Sequence, residues 1–183
     1  GDVYKRQAVE DDRAHRRETL MGLLWPEMPQ ASARMNLRQA LAALRRAIGD
    51  REAQPPYLEA TRDAVKWTGS DTSRVDVSEY LALLNESEHH PHRHANQCHA
   101  CAGRLERAAA LYRGPFLAQF SLGDSAEFEA WALLQREWLH HRQLHVLAQI
   151  VTYYERRGDY RRAIAYARQQ LEPDAWREER RRR

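Results

Sequence analysis

The chain has 183 residues, of which 43% are hydrophobic and 30% charged, with a formal net charge of +3 and two cysteines. That length allows one sizeable core or two small ones, the composition is that of a soluble globular protein, and no apolar run is long enough to span a bilayer. Two cysteines exclude a disulfide framework, and without a secretory pattern the expected compartment is a reducing cytoplasm. The positive balance permits a polyanionic partner, but where the arginines fall says more than their total.

Residues 1–7, GDVYKRQ, have no structural period and read as an adaptor-like, non-native segment. Residues 15–25 read as a short helix with Leu20, Leu23 and Leu24 at helical spacing and Pro26 closing it. Pro29-Gln-Ala-Ser32 reads as a turn, with Ser32 as the expected N-cap of the next helix. From Ser32 to Asp50 the 3.6 period puts Leu37, Leu41, Leu44 and Ile48 on one stripe and Arg34, Arg38 and Arg45 beside it. Arg46 adds a fourth cation, and no acid occurs between Glu27 and Asp50 to neutralise them locally. Gly49 supplies the stop. Two helices joined this closely have helix-turn-helix geometry, whose second member can enter a major groove. The alternative is an amphipathic surface helix with a solvated basic face. Beyond Pro55-Pro56, Tyr57 to Thr61 and Ala64 to Trp67 read as a hairpin around Arg62-Asp63.

Ser70 to Arg74 is small and polar, a linker. Asp76-Val-Ser-Glu79 has capping-box spacing and opens a helix through Tyr80, Leu83 and Leu84. Glu86 to Gln97, rich in histidine and holding Pro91, reads as a loop. Cys98 to Tyr112 returns to helical period through Leu105, Ala109 and Leu111, and a turn follows at Gly114-Pro115. Asp124-Ser-Ala-Glu127 opens a long helical run past Trp131, Leu134, Trp138, Leu144 and Leu147 to Tyr154, either one helix or two with a bend near His140 and His141. The expected core is Leu105, Leu111, Trp131, Leu147 and Tyr154. From Leu147 to Leu171 the pattern resembles a tetratricopeptide repeat turning at Gly158-Asp159, although Val151 occupies a small-residue position and Pro173 comes early. One such repeat cannot bury its own apolar face and must stack on neighbours. Both ends read as cut, so a fragment of a larger protein is expected.

The run His15-Arg-Arg-Glu-Thr-Leu-Met-Gly-Leu-Leu-Trp-Pro26, the helix from Arg34 to Asp50 and the segment Tyr57 to Trp67 together resemble the second half of an OmpR-type winged helix. The form is that of bacterial AfsR/SARP-type regulators, where a bacterial transcriptional activator domain (BTAD) follows. Arg17-Glu18-x-Leu20 with Trp25-Pro26, and Asn36-Leu37-Arg38 with Leu44-Arg45-Arg46, carry this part. Leu111-Tyr-Arg-Gly-Pro-Phe-Leu117, with Glu127-Phe-Glu-x-Trp131 and Arg136-Glu137, is the more specific match.

The resemblance implies a mainly α fold. A partial winged helix-turn-helix with a small β-hairpin would occupy residues 8–70, and a TPR-like all-α BTAD residues 71–183. It further implies a DNA-binding transcriptional activator whose partners are double-stranded promoter DNA and proteins, either the transcription machinery or further domains of the same chain. In helix-turn-helix docking Arg34, Arg38 and Gln39 would read bases, while Arg45, Arg46 and the wing residue Arg62 would neutralise phosphates. The chain departs from the family pattern at Ala40, Ala42 and Ala43, where OmpR-type helices are richer in polar groups, so fewer side chains are left to read.

One further cluster is metal-like: His89, His90, His92, His94, Cys98, His99 and Cys101. Cys98-x-x-Cys101 offers two thiolates to a structural zinc, and two upstream histidines, here His92 and His94 with His89 and His90 as alternatives, complete a Cys2His2 set. The competing reading is a histidine-rich surface loop followed by two cysteines one turn apart, one of them simply buried. No nucleophile elbow, phosphate-binding glycine loop or carboxylate pair in an apolar setting occurs, so no enzyme is expected. The competing function class is an α-helical interaction scaffold, zinc-stabilised or not, without DNA affinity.

Overall fold

The computed structural model describes residues 14–68, 75–91 and 97–171. The adaptor-like segment 1–7, the linker Ser70 to Arg74, the ligand candidates His92 and His94, Pro173 and the terminal arginines Arg180 to Arg183 lie outside the described residues. The fold is mainly helical, with one small three-stranded antiparallel sheet near the N-terminus. The chain divides into two compact units, residues 1–75 with 120–134 and residues 76–119 with 135–183.

The first unit runs β1 (His15–Arg16), α1 (Arg17–Leu24), α2 (Gln30–Ala47), β2 (Leu58–Ala60) and β3 (Ala64–Trp67). The strand order is β1-β3-β2, with both His15 and Ala60 opposite Val65. The helix expected from residue 15 begins two residues later. The Arg17 amide donates to Asp63 O at 2.8 Å and Arg17 Nε to Thr61 O at 3.0 Å, which draws His15 and Arg16 into the sheet before the helix can start. The hairpin turns on Thr61, whose Oγ1 accepts the Ala64 amide at 3.0 Å, and Tyr57 stacks on Trp67 beyond it.

Residues 25–29 connect α1 to α2. Ser32 is not the N-cap: Pro29 holds that position, and its carbonyl accepts the Ala33 amide at 3.0 Å. Met21, Ala33 and Leu37 form the buried cluster between the two helices, with Leu20, Trp25 and Leu41 packed against it. The expected stripe therefore fades toward its C-terminal end, where Leu44 is 43% exposed. The reason is length: at 1.5 Å per residue α1 covers about 12 Å, whereas α2 extends about 27 Å. Also in this unit, Ser125 rather than Asp124 caps the following helix. Its Oγ accepts the Phe128 amide at 3.1 Å and donates to Leu23 O at 2.7 Å.

The second unit contains α3 (Asp76–Glu88), α4 (His99–Leu111), most of α5 (Ala126–Arg156) and α6 (Tyr160–Leu171). The 31-residue α5 is unbroken through His140 and His141, as expected of a stretch with neither proline nor glycine. Tyr80, Leu83 and Leu84 of α3 pack with Ala102, Leu105 and Ala108 of α4 and with Leu139, Val146, Leu147, Ile150, Tyr153 and Tyr154 of α5. The alanines let α4 approach closely, and Ala108 and Ile150 are fully buried.

Gly158 at φ +74° makes the turn into α6, a conformation that favours glycine. Gln170 Nε2 donates to Leu144 O while Tyr166 stacks on Tyr154, so α6 runs antiparallel to the end of α5. Of the expected core, Leu105, Leu147 and Tyr154 are buried and Leu111 is partly covered. Trp131 is a correction: it is only half-buried, against Phe128 in the first unit, and does not join this core.

Candidate nucleic-acid interface

The exposed side of α2 and the β2–β3 turn meet in a groove of about 930 Å³. Arg34 and Arg38 enter it from successive turns of α2, Arg62 from the hairpin turn, Arg16 from β1 and Arg17 from the start of α1. Two acids, Glu18 and Asp63, also line it, and Met21 and Leu37 provide apolar lining. Five guanidiniums thus face two carboxylates, and the concavity focuses a positive potential.

The residues expected to touch DNA divide into three groups. Arg34, Arg38 and Arg62 share the groove. Gln39 and Arg46 are exposed on α2 outside its lining. Arg45 stands apart from both groups in its partners. Its Nε lies 3.1 Å from Oδ2 of the buried Asp50, and its Nη2 donates to Leu58 O at 3.0 Å, so its charge is engaged inside the unit. Asp50 Oδ1 in turn accepts the Leu58 amide at 2.9 Å. The pair therefore ties the end of α2 to the first residue of β2, with Gly49 at φ +68° making the turn between them.

Arg17 and Asp50 escaped the sequence reading as parts of this site. Arg17 has the chemistry of a phosphate contact but fixes the hairpin turn through its Nε, and Asp50 looked like a helix-end acid. The signal for Asp50 was available: an acid directly after a helix-stopping glycine, five residues beyond an arginine.

In the second unit, among the described residues of the metal-like cluster, His90, Cys98 and Cys101 come together, their ligand atoms all within 4.8 Å of one another. His99 is turned elsewhere, with Nδ1 2.9 Å from Tyr153 Oη, and His89 Nδ1 meets Asn85 O at 2.9 Å. The backbone amide of Cys101 holds the Cys98 thiol below its ordinary pKa, whereas burial pushes the Cys101 thiol up.

The Gly114-Pro-Phe-Leu117 turn also acquires a physical explanation. Arg136 is 5% exposed, and it donates from Nε to Phe116 O at 2.7 Å and from Nη2 to Leu117 O at 2.9 Å. It thereby holds a turn in which Leu117 takes φ +50°. A planar fork donates to two adjacent carbonyls from two separate nitrogens, a geometry that the single ammonium of a lysine does not reproduce.

The family model described as bacterial transcriptional activator domain matches residues 75–183, and the chain belongs to that family. Neither the curated proteins nor the solved structures give a match.

Proposed function

We propose that this chain is a transcriptional activator that binds promoter DNA through its first unit and contacts protein partners through its activator domain. The observation that carries the reading is the convergence of Arg34 and Arg38 of α2 with Arg62 of the hairpin turn and Arg16 of β1 on one groove. Helix, short turn, basic helix and hairpin follow one another in the order that the winged-helix resemblance implies. In this reading α2 lies in the major groove. Arg34, Arg38 and Gln39 read base edges, while Arg46 and Arg62 neutralise phosphates. Arg45 leaves the set of DNA contacts, because its guanidinium is engaged by Asp50 and Leu58. The protein partners are the transcription machinery or further domains of the same chain, and the site of action is the bacterial cytoplasm, where the promoter is.

The test is selection from random duplexes, followed by binding of the enriched and scrambled sequences at several salt concentrations. A sequence-specific binder enriches one site and holds it at least about 10³-fold tighter than the scrambled duplex, with affinity falling as salt rises. Equal, weak affinity for both duplexes would instead leave the interaction-scaffold reading in front.

A further inference from the structure

We propose that His90, Cys98 and Cys101 form a binding site for one zinc-class divalent cation, which staples the end of α3 to the start of α4. The site stands apart from the DNA-binding reading and does not depend on it. Geometry carries it. At Zn–S of about 2.3 Å and Zn–N of about 2.0–2.1 Å, tetrahedral angles put a ligating sulfur and nitrogen about 3.6 Å apart and two sulfurs about 3.8 Å apart. Cys98 Sγ and His90 Nδ1 are already 3.6 Å apart, and the three ligand atoms lie within 4.8 Å of one another. A thiol–imidazole contact of that length is a weak hydrogen bond, so it gives little reason of its own for the two groups to be held together.

The surroundings suit the ion. Cys98 is the N-cap of α4, where the helix's free amides favour a thiolate, and Cys101 lies buried one turn further along. The guanidinium of Arg104, paired with Glu86 at 3.1 Å, acts electrostatically on both sulfurs. Cys101 Sγ lies 3.7 Å from Ser87 O, which places the second thiol against the last turn of α3. Two sulfurs and an imidazole select a borderline-soft ion over magnesium or calcium, which require oxygen.

Binding converts two thiols to thiolates and releases their two protons to solvent. The neutral imidazole donates its Nδ1 lone pair, and water takes the fourth position. No redox change is involved, since both cysteines are free thiols. The consequence is mechanical: one ion joins His90, just past the end of α3, to Cys98 and Cys101 at the start of α4.

The experiment uses the whole chain, purified without a histidine tag and fully reduced, and titrates zinc against a chromophoric chelator. One equivalent is expected to bind with a rise in melting temperature. Cobalt(II) in its place is expected to give the strong visible absorption of a tetrahedral site together with thiolate charge transfer. Cys98→Ser and His90→Ala, both at half-exposed positions, should each weaken binding more than about 100-fold, beyond the range for loss of an outer-shell partner. His89→Ala should leave it unchanged. Circular dichroism confirms that the variants fold, and should Cys101→Ser fail to fold, the other two carry the test. A reduced wild-type chain that takes up no stoichiometric zinc would overturn the proposal. So would stoichiometric binding that survives both Cys98→Ser and His90→Ala, because other imidazoles would then hold the metal.

Discussion

Arg45 and Asp50 face each other at 3.1 Å across the turn that ends α2, and the same carboxylate accepts the Leu58 amide that begins β2. The pair joins the basic helix to the hairpin, and the groove lies between those two elements. Replacing Asp50 by alanine strips the buried Leu58 amide of its acceptor and removes the charge partner of Arg45. A loss of about 2–3 kcal/mol is expected in urea denaturation, against less than about 0.5 kcal/mol for Arg46→Ala on the open face. Equal losses for the two would mean that the clamp contributes nothing.

Arg136 gives a second prediction. Arg136→Lys keeps the charge but cannot reach both Phe116 O and Leu117 O in the same fork. It should destabilise the helical unit by about 1.5–3 kcal/mol, the range for hydrogen bonds to charged groups, and Arg136→Ala by at least as much. Thermal melts decide it, and a lysine variant indistinguishable from wild type would show that charge alone holds the turn.

A third prediction concerns alkaline pH. Glu106 Oε1 accepts both the Tyr154 and the Tyr166 hydroxyls. Burial, reinforced by that carboxylate, raises Tyr166 to about 12 from an ordinary 10.0, and Tyr154 is raised as well, again mainly by burial. The folded chain therefore keeps phenolic protons that the unfolded chain has lost. Stability present below pH 10 falls as pH rises through about 12. In melts across that window Tyr166→Phe should fall less steeply than wild type. Parallel curves would remove Tyr166 from the account.

The core makes a fourth. Ile150 has no exposed surface, and its replacement by alanine should cost about 2–5 kcal/mol. Leu134, 58% exposed on the same helix, should tolerate alanine within about 0.5 kcal/mol. Comparable losses at both positions would place the buried face of α5 wrongly.

Periodicity made the helical elements legible because Tyr80, Leu83, Leu84 and Leu105 repeat at the spacing that packing demands. It could not say how far a partner reaches, so Leu44, in register on the stripe, is left exposed where α1 ends. Trp131 is large and in phase with the core residues of α5, yet it sits on the stretch of that helix belonging to the first unit. The fate of Arg45 was hidden for another reason: its partners are a residue beyond a glycine turn and a backbone carbonyl in a strand, and helical spacing reports neither. The metal-like cluster was visible as composition, but several imidazoles at similar sequence distances are equivalent on paper. Only the fold brings His90 to the two sulfurs.

The central claim, that α2 and the hairpin turn hold DNA, is tested most directly by comparing Arg38→Ala with Arg46→Ala on a selected duplex over a range of salt. Loss of Arg38, inside the groove, should cost about 1–3 kcal/mol on the cognate site and relax preference at one base position. Loss of Arg46, exposed outside it, should weaken cognate and scrambled DNA alike and lower the slope of log affinity against log salt by about one. Binding that is unchanged by both substitutions, with the selected sequence still preferred, would contradict the assignment of this helix.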